Sequence, residues 1–232
     1  VGRLVEKLDR LPLAIELAAA RLNIFKVQEI ERRLGERFSL LRSREKGTQA
    51  LDAALDWSWD LLKPWAKAAL SQSSLFHGGF DNDAAESVLD VSNWSDSPAI
   101  FDILQDLCED SLLRQDRSVD GEIRYGMLES IRQYSRSKLE TEDDSGLTGA
   151  SVLDGTAQRH ALHYSRFGDR EFLSSLDGVE SSQQWSKLFL ELDNLVAGSQ
   201  YGAGPEASKC CMAGLRILGM KGPVSLGVDV VN

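Results

Sequence analysis

Three histidines, three cysteines and five tryptophans are the side chains in this sequence that chemistry would draw on first. His160 and His163 stand three apart in a helical pattern, so their rings share a face, as a pair of metal ligands would. No cysteine or carboxylate accompanies them at ligand spacing, and they read as packing or surface histidines. His77 precedes Gly78-Gly79 and reads as a turn residue rather than a base. Cys210 and Cys211 are adjacent, so their side chains diverge and a reactive pair is not expected. No Cys-x-x-Cys or Cys/His set has zinc spacing, Cys108 included. The sequence holds no Gly-x-x-x-x-Gly-Lys-Ser/Thr loop, no Gly-x-Gly-x-x-Gly, no His-Glu-x-x-His and no Gly-x-Ser-x-Gly. It therefore predicts no catalytic residue, no metal site and no enzyme. Trp57, Trp59, Trp65, Trp94 and Trp185 read as core anchors. Trp57 and Trp59 sit beside Asp56 and Asp60, the wrong company for stacking on nucleobases.

The elements that would carry these side chains are mainly helical. Leu4, Val5, Leu8 and Leu11 have helical spacing, and Pro12 restarts the chain at a position where its missing N–H costs nothing. The Ala- and Leu-rich run 13–22 is a strong helix former. A short helix over 27–34 should end at Gly35. Thr48 reads as the N-cap of a helix to Leu62, Pro64 opens one to Ser71, and Asp81 caps one to Leu89. Pro98 opens a helix to residue 110 with Ile100, Ile103, Leu104 and Leu107 on one face. Asp120-Gly121 between two short segments is a hairpin signal. Helix returns over 128–140. Helices, one β-hairpin, then a helix is the outline of a winged helix.

Residues 141–152 are acidic and polar and read as a linker. Residues 156–167 and 181–199 look helical and would make α-hairpins. The predicted division is 1–45 (end of a helical subdomain), 46–142 (winged helix), 143–155 (linker), 156–200 (helical start of a repeat region) and 201–232 (irregular tail). The tail prediction rests on its glycines and weak periodicity.

The chain has 232 residues and a net charge of −10. Its 42% hydrophobic content allows a packed core and argues against disorder. The charge is unevenly spread: residues 1–46 carry 11 basic and 7 acidic side chains, residues 47–144 carry 8 and 20, and residues 145–232 carry 7 and 9. The recognition-helix stretch, 98–110, carries Asp102, Asp106, Glu109 and Asp110 and no cation, which fits poorly against a groove lined by phosphates. Direct DNA binding by this segment is therefore not expected. Few cysteines and no apolar run of membrane-spanning length predict a cytoplasmic protein without a membrane partner. The helical pattern already under way at Val1 predicts a piece of a longer protein.

Four blocks carry a resemblance. Leu11-Pro12-Leu13-Ala14-Ile15-Glu16-Leu17 through Leu22 resembles the Gly-Leu-Pro-Leu region of the STAND signal-transduction ATPases, to which the NB-ARC proteins belong. Residues 53–62, residues 76–81 and Arg124 through Tyr134 follow in the same order. Leu192-Asp193-Asn194-Leu195 is similar to the helix leading into tetratricopeptide-like repeats in bacterial members. The resemblance covers about residues 1–200 and implies a helical bundle subdomain, a winged helix and then α-hairpins leading to such repeats. It implies that Pro12, with Leu13, packs beside the adenine of bound ADP or ATP in an intact parent. It implies a phosphate-sensing position in the winged helix at Leu128, within Met127-Leu128-Glu129, where the family often has Met-His-Asp. Leucine cannot donate a hydrogen bond to phosphate, so this sensor is degenerate. Arg10 stands where the family has the initial glycine. No nucleotide is expected on this segment alone, because the phosphate-binding loop is absent from it. The implied partners are a P-loop domain of the same protein and proteins bound through the C-terminal helices. The implied function is a non-catalytic regulatory segment coupling ADP/ATP state to transcriptional regulation. The alternatives are a DNA-binding winged-helix regulator and a helical-repeat interaction module.

Overall fold

The computed structural model describes residues 2–40, 46–117, 121–141, 149–178 and 181–221. The architecture is mostly helical with one two-stranded antiparallel sheet. Helix α1 (Gly2–Lys7) stops where Asp9 and Arg10 take positive φ, 52° and 57°. Leu11 is then extended and Pro12 opens α2 (Pro12–Ala20), as the sequence predicts. Ala14, Leu17 and Ala18 form its buried stripe, and the small alanines let α4 (Lys46–Leu61) approach closely with Ala50, Ala53 and Ala54.

Two predicted boundaries are corrected here. Helix α3 (Val27–Leu40) runs through Gly35 instead of ending there, because Ile30 and Leu34 are wholly buried and the charged face is laced by Glu29–Arg32, Glu29–Arg33 and Arg32–Glu36 pairs. Helix α4 begins at Lys46, so Thr48 lies inside it and is not its cap.

Next come α5 (Pro64–Ser73), α6 (Asn82–Val88), α7 (Ile100–Glu109), the hairpin β1 (Arg114–Arg117) and β2 (Ile123–Gly126), and α8 (Glu129–Glu140). Phe80 adds a single antiparallel bridge to Tyr125, the stub of a third strand. This helix–bridge–helix–helix–hairpin order is a winged helix. Asp81 caps α6 as predicted, accepting from the Ala84 N–H at 2.8 Å. Helix α7 opens at Ile100 rather than Pro98, because Ala99 is extended and serves as its N-cap. Gly121 has φ 84°, suited to a hairpin turn, while Asp120 falls outside the described residues.

Four buried polar residues at the end of α5 show how local bonding permits burial. Ser71, Ser73 and Ser74 hydroxyls donate to the Ala68, Ala69 and Ser71 carbonyls. The Gln72 amide closes a double hydrogen bond with the Asp90 backbone, 2.8 Å each way.

The C-terminal helices depart most from the sequence expectation. Helix α9 (Ala150–Ser165) begins inside the expected linker, whose residues 142–148 lie outside the described set. Helix α10 (Arg170–Ser175) was not anticipated, and the stretch 181–199 divides at Glu191 into α11 (Ser181–Leu190) and α12 (Leu192–Tyr201). The expected irregular tail contains α13 (Gly204–Lys221), packed on α9 and α12. Cys210, Ala213 and Ile217 form its buried stripe. Several nearby glycines are contact points rather than breaks. A Cβ on Gly168 would lie 2.6 Å from the Lys209 carbonyl carbon, and one on Gly198 would lie 2.9 Å from Cys210 Sγ. Residues 222–232 lie outside the described set.

Candidate functional site

Two surfaces of the winged helix have functional character: its α7–hairpin face, and its junction with the helices that follow. The first is acidic. Ile103, Leu104 and Leu107 turn inward, leaving Asp102, Asp106 and Glu109 on the outer side of α7. Partial burial and the neighbouring Glu109, Asp110 and Asp102 push the Asp106 carboxyl above its usual range. Phe101 is exposed among these carboxylates. At the end of α7, Asp110 pairs with Arg21 from the short 3-10 turn after α2. Arg21 is only 2% exposed, and its Nε and Nη2 find no acceptor among the described residues. A buried guanidinium with one ion pair is expensive, so this contact ties the first helices firmly to the end of α7. The hairpin differs: all four residues of β1 are exposed, Arg114 and Arg117 among them.

At the second surface the chain turns through Gly78 and Gly79, with φ 75° and 90°. Both positions have a φ that favours glycine, and Gly79 needs it twice over. A Cβ at Gly79 would stand 2.9 Å from the Tyr125 carbonyl oxygen, and one at Gly78 would stand 3.0 Å from Asp193 Oδ2. Asn194 of α12, wholly buried, reads this turn. Its Oδ1 accepts from the His77 N–H, and its Nδ2 donates to the Gly79 carbonyl and to Glu191 Oε2, each at 2.8 Å. Arg124 of β2 completes the clamp, donating to Glu191 Oε1 at 2.5 Å and to the Gly79 carbonyl at 3.1 Å. Three of the sequence blocks singled out above, 76–81, 124–134 and 192–195, therefore meet at one point. Beside it a cleft of about 540 Å³ opens between the turn, α8 and α12, with His77, Glu129, Arg132 and Asp193 on its walls.

The histidines are packing residues. His160 lies 4.6 Å from the Tyr164 ring and 5.4 Å from that of Phe76, and its Nε2 stands 3.4 Å from Asn194 Oδ1. Burial lowers His160 to about 3, and burial with nearby Arg166 lowers His163 to about 4. A depressed histidine pKa means the unfolded chain protonates first as pH falls. Stability is therefore full above about pH 6.5 and declines from there toward the folded values, by about 1.4 kcal/mol per pH unit for each imidazole. The thermal midpoint should drop clearly between pH 7 and pH 5, and a flat profile would contradict the burial of neutral imidazoles. Cys210, buried with its thiol toward the Ala161 carbonyl, is pushed up to about 12 by burial and is inert as a nucleophile. Among the described residues, no group of three His, Cys, Asp or Glu could hold a metal ion. No described helix is long and apolar enough to cross a membrane.

The sites implied by the resemblance are dispersed. Pro12 is exposed in the first turn of α2 and Leu13 is half-buried beside it. Leu128 is the N-cap of α8, half-buried against the hydrophobic core. Helix α2 packs on α4, whereas α8 packs on α5 and α9, so different helix pairs carry these positions. Sequence reasoning missed Arg21, Asp110 and the role of Glu191. The available signal was periodicity: Arg21 continues the stripe Ala14–Leu17–Ala18, and Asp110 follows Ile103 and Leu107, so each charge stands where an apolar residue is due.

Residues 62–140 match the family model described as a winged helix-turn-helix domain. A Mycobacterium tuberculosis protein named "Putative HTH-type transcriptional regulator Rv0890c" is 31% identical over 196 residues, covering 81% of this chain and 22% of that protein. The Mycobacterium bovis counterpart, "Putative HTH-type transcriptional regulator Mb0914c", aligns to the same extent. A second M. tuberculosis relative, "Uncharacterized protein Rv0894", is 33% identical over 143 residues, 60% of this chain and 36% of the relative. The chain thus spans about a fifth of the length of the first relatives. No solved structure matches it.

Proposed function

We propose, from the winged helix of residues 62–140 and the names of its mycobacterial relatives, that this chain is a regulatory segment of a transcriptional regulator. Within it the winged helix is a relay body held between two helical units, not a reader of the major groove. The observation that carries this reading is the state of α7. Its outer side is acidic, and its end is pinned by Arg21. A helix of that charge entering the groove would meet two phosphate backbones with no counter-charge. The clamp at Asn194 anchors the opposite side to α12, so movement in either flanking unit is transmitted through the hairpin body.

The motif order supports a finer version. In a longer parent, Pro12 and Leu13 would flank the adenine of ADP or ATP bound by a separate P-loop domain, and the winged helix would shift with nucleotide state. The reading assigns this chain no catalytic step.

A second reading is direct DNA contact through the hairpin. The exposed Arg114 and Arg117 and the relatives' names favour it. Fluorescence anisotropy with duplex DNA at low salt separates the two. The relay reading expects only salt-sensitive, non-specific binding that weakens to a Kd of about 1–100 μM or more as salt is raised to the physiological range. Submicromolar binding lost on Arg114→Glu and Arg117→Glu would establish the hairpin reading instead.

A further inference from the structure

A groove of about 930 Å³ runs between the hairpin and α11, bounded at one end by the Arg124–Glu191 pair of the clamp. Its floor includes the outer edge of β2. Tyr125 spends its backbone N–H and C=O on Phe80, at 2.7 and 2.9 Å, so these groups point away from β1. Backbone groups alternate in direction along a strand, so those of Ile123 point the same way. Continuing the Phe80–Tyr125 register would place Asn82 opposite Ile123, but Asn82 has already begun α6. The third strand therefore stops after one residue, and the Ile123 N–H and C=O have no described backbone partner. Asn82 Oδ1, on the groove wall, is buried and also without a partner among the described residues. An unpaired edge beside an orphaned acceptor is a template for another strand.

We infer that this groove takes an extended peptide of alternating acidic and basic residues, which pairs with the free β2 edge at Ile123. The two walls give the charge pattern. The α11 side presents Lys187, with Arg166 nearby, and no described carboxylate pairs with either. Facing them are exposed Asp83, in the first turn of α6, and Glu122, just before β2. Successive side chains of an added strand point to opposite sides, so acids meet the first wall and bases the second. Main-chain hydrogen bonds at Ile123 supply affinity and the walls supply selectivity.

The test titrates the full chain into a fluorescein-labelled octapeptide of alternating Glu and Lys. Saturable binding is expected. It should weaken about tenfold or more when alternate peptide amides are N-methylated, and similarly in Ile123→Pro, which removes an edge N–H that the β1 ladder does not use. Lys187→Glu should weaken binding without altering the circular dichroism spectrum. If Ile123→Pro perturbs folding, the N-methylated peptide decides the question on the unaltered protein. Equal affinity for the methylated peptide would overturn the strand-pairing inference, leaving only charge attraction. Absence of saturation would overturn it outright. Concentration-dependent dimerisation abolished by Ile123→Pro would also overturn it, because a second copy would then hold the edge.

Discussion

Replacing Asp110 by alanine is expected to lower the stability of the fold by about 3–5 kcal/mol, an effect far larger than an ordinary surface ion pair would give. The reason lies in what is left behind. Arg21 would remain buried, with Nε and Nη2 already without partners among the described residues and its one described ion pair gone. Leu17 and Ala18, one turn earlier on the same stripe, are buried as well. The converse change, Arg21→Met, removes the charge along with its desolvation penalty and fills the space with apolar volume. It should cost about 1 kcal/mol or less, or even stabilise. Urea unfolding midpoints of the two variants check this asymmetry. Equal, small losses would mean that Arg21 reaches solvent and that the first helices are not tied to α7 in the way described. Such an outcome would also weaken the relay reading, which needs that tie.

The second large effect concerns the clamp. Asn194→Ala strands the His77 N–H and Glu191 Oε2 and strips one of two donors from the Gly79 carbonyl. Each buried polar group left without a partner costs about 1–3 kcal/mol. The expected loss of about 3 kcal/mol should appear first as local opening, because the bonds lost are polar ones at the turn while the apolar core shared with α12 is untouched. Amide exchange at His77 should accelerate about a hundredfold, with protection inside α5 changing little. Unchanged exchange at His77 would show that the turn is held by its own packing, Phe76 on Phe80 above all. Asn194→Asp makes an informative companion. It keeps the acceptor for His77 but replaces the donating amide with a carboxylate beside Glu191, so it should be at least as damaging.

The winged helix was legible because its signals are local. Pro64, Asp81 and Gly121 mark boundaries through their own backbone chemistry, and the α7 stripe follows from spacing alone. The tail was misread for a physical reason. Glycine reads as a break when its neighbours in space are unknown, yet at Gly168, Gly198 and Gly202 it is what allows segments to touch. The linker was misread at its C-terminal end because small and polar residues there hide the start of a helix whose first buried positions are Thr156, Ala157 and His160. The junction was partly visible: its three blocks stood out individually, but the pairing of Asn194 with a turn 117 residues earlier has no sequence periodicity to announce it. Long-range polar bonds between glycine turns and helix side chains leave no local pattern, and Arg21 and Asp110 show only as charges on otherwise apolar stripes.

The distance along the chain between His77 and Asn194 also has a consequence in time. At a synthesis rate of about 5–20 residues per second, the Gly78–Gly79 turn leaves the ribosome roughly six to twenty-three seconds before the side chain that satisfies it. Throughout that interval the newborn winged helix presents its turn carbonyl, the Arg124 guanidinium and the Phe76 and Tyr125 side of its core without their later cover. A nascent chain in this condition is a natural client for holding chaperones. A slow codon stretch or a stall between the encoded turn and α12 would prolong its exposure more than one placed anywhere downstream.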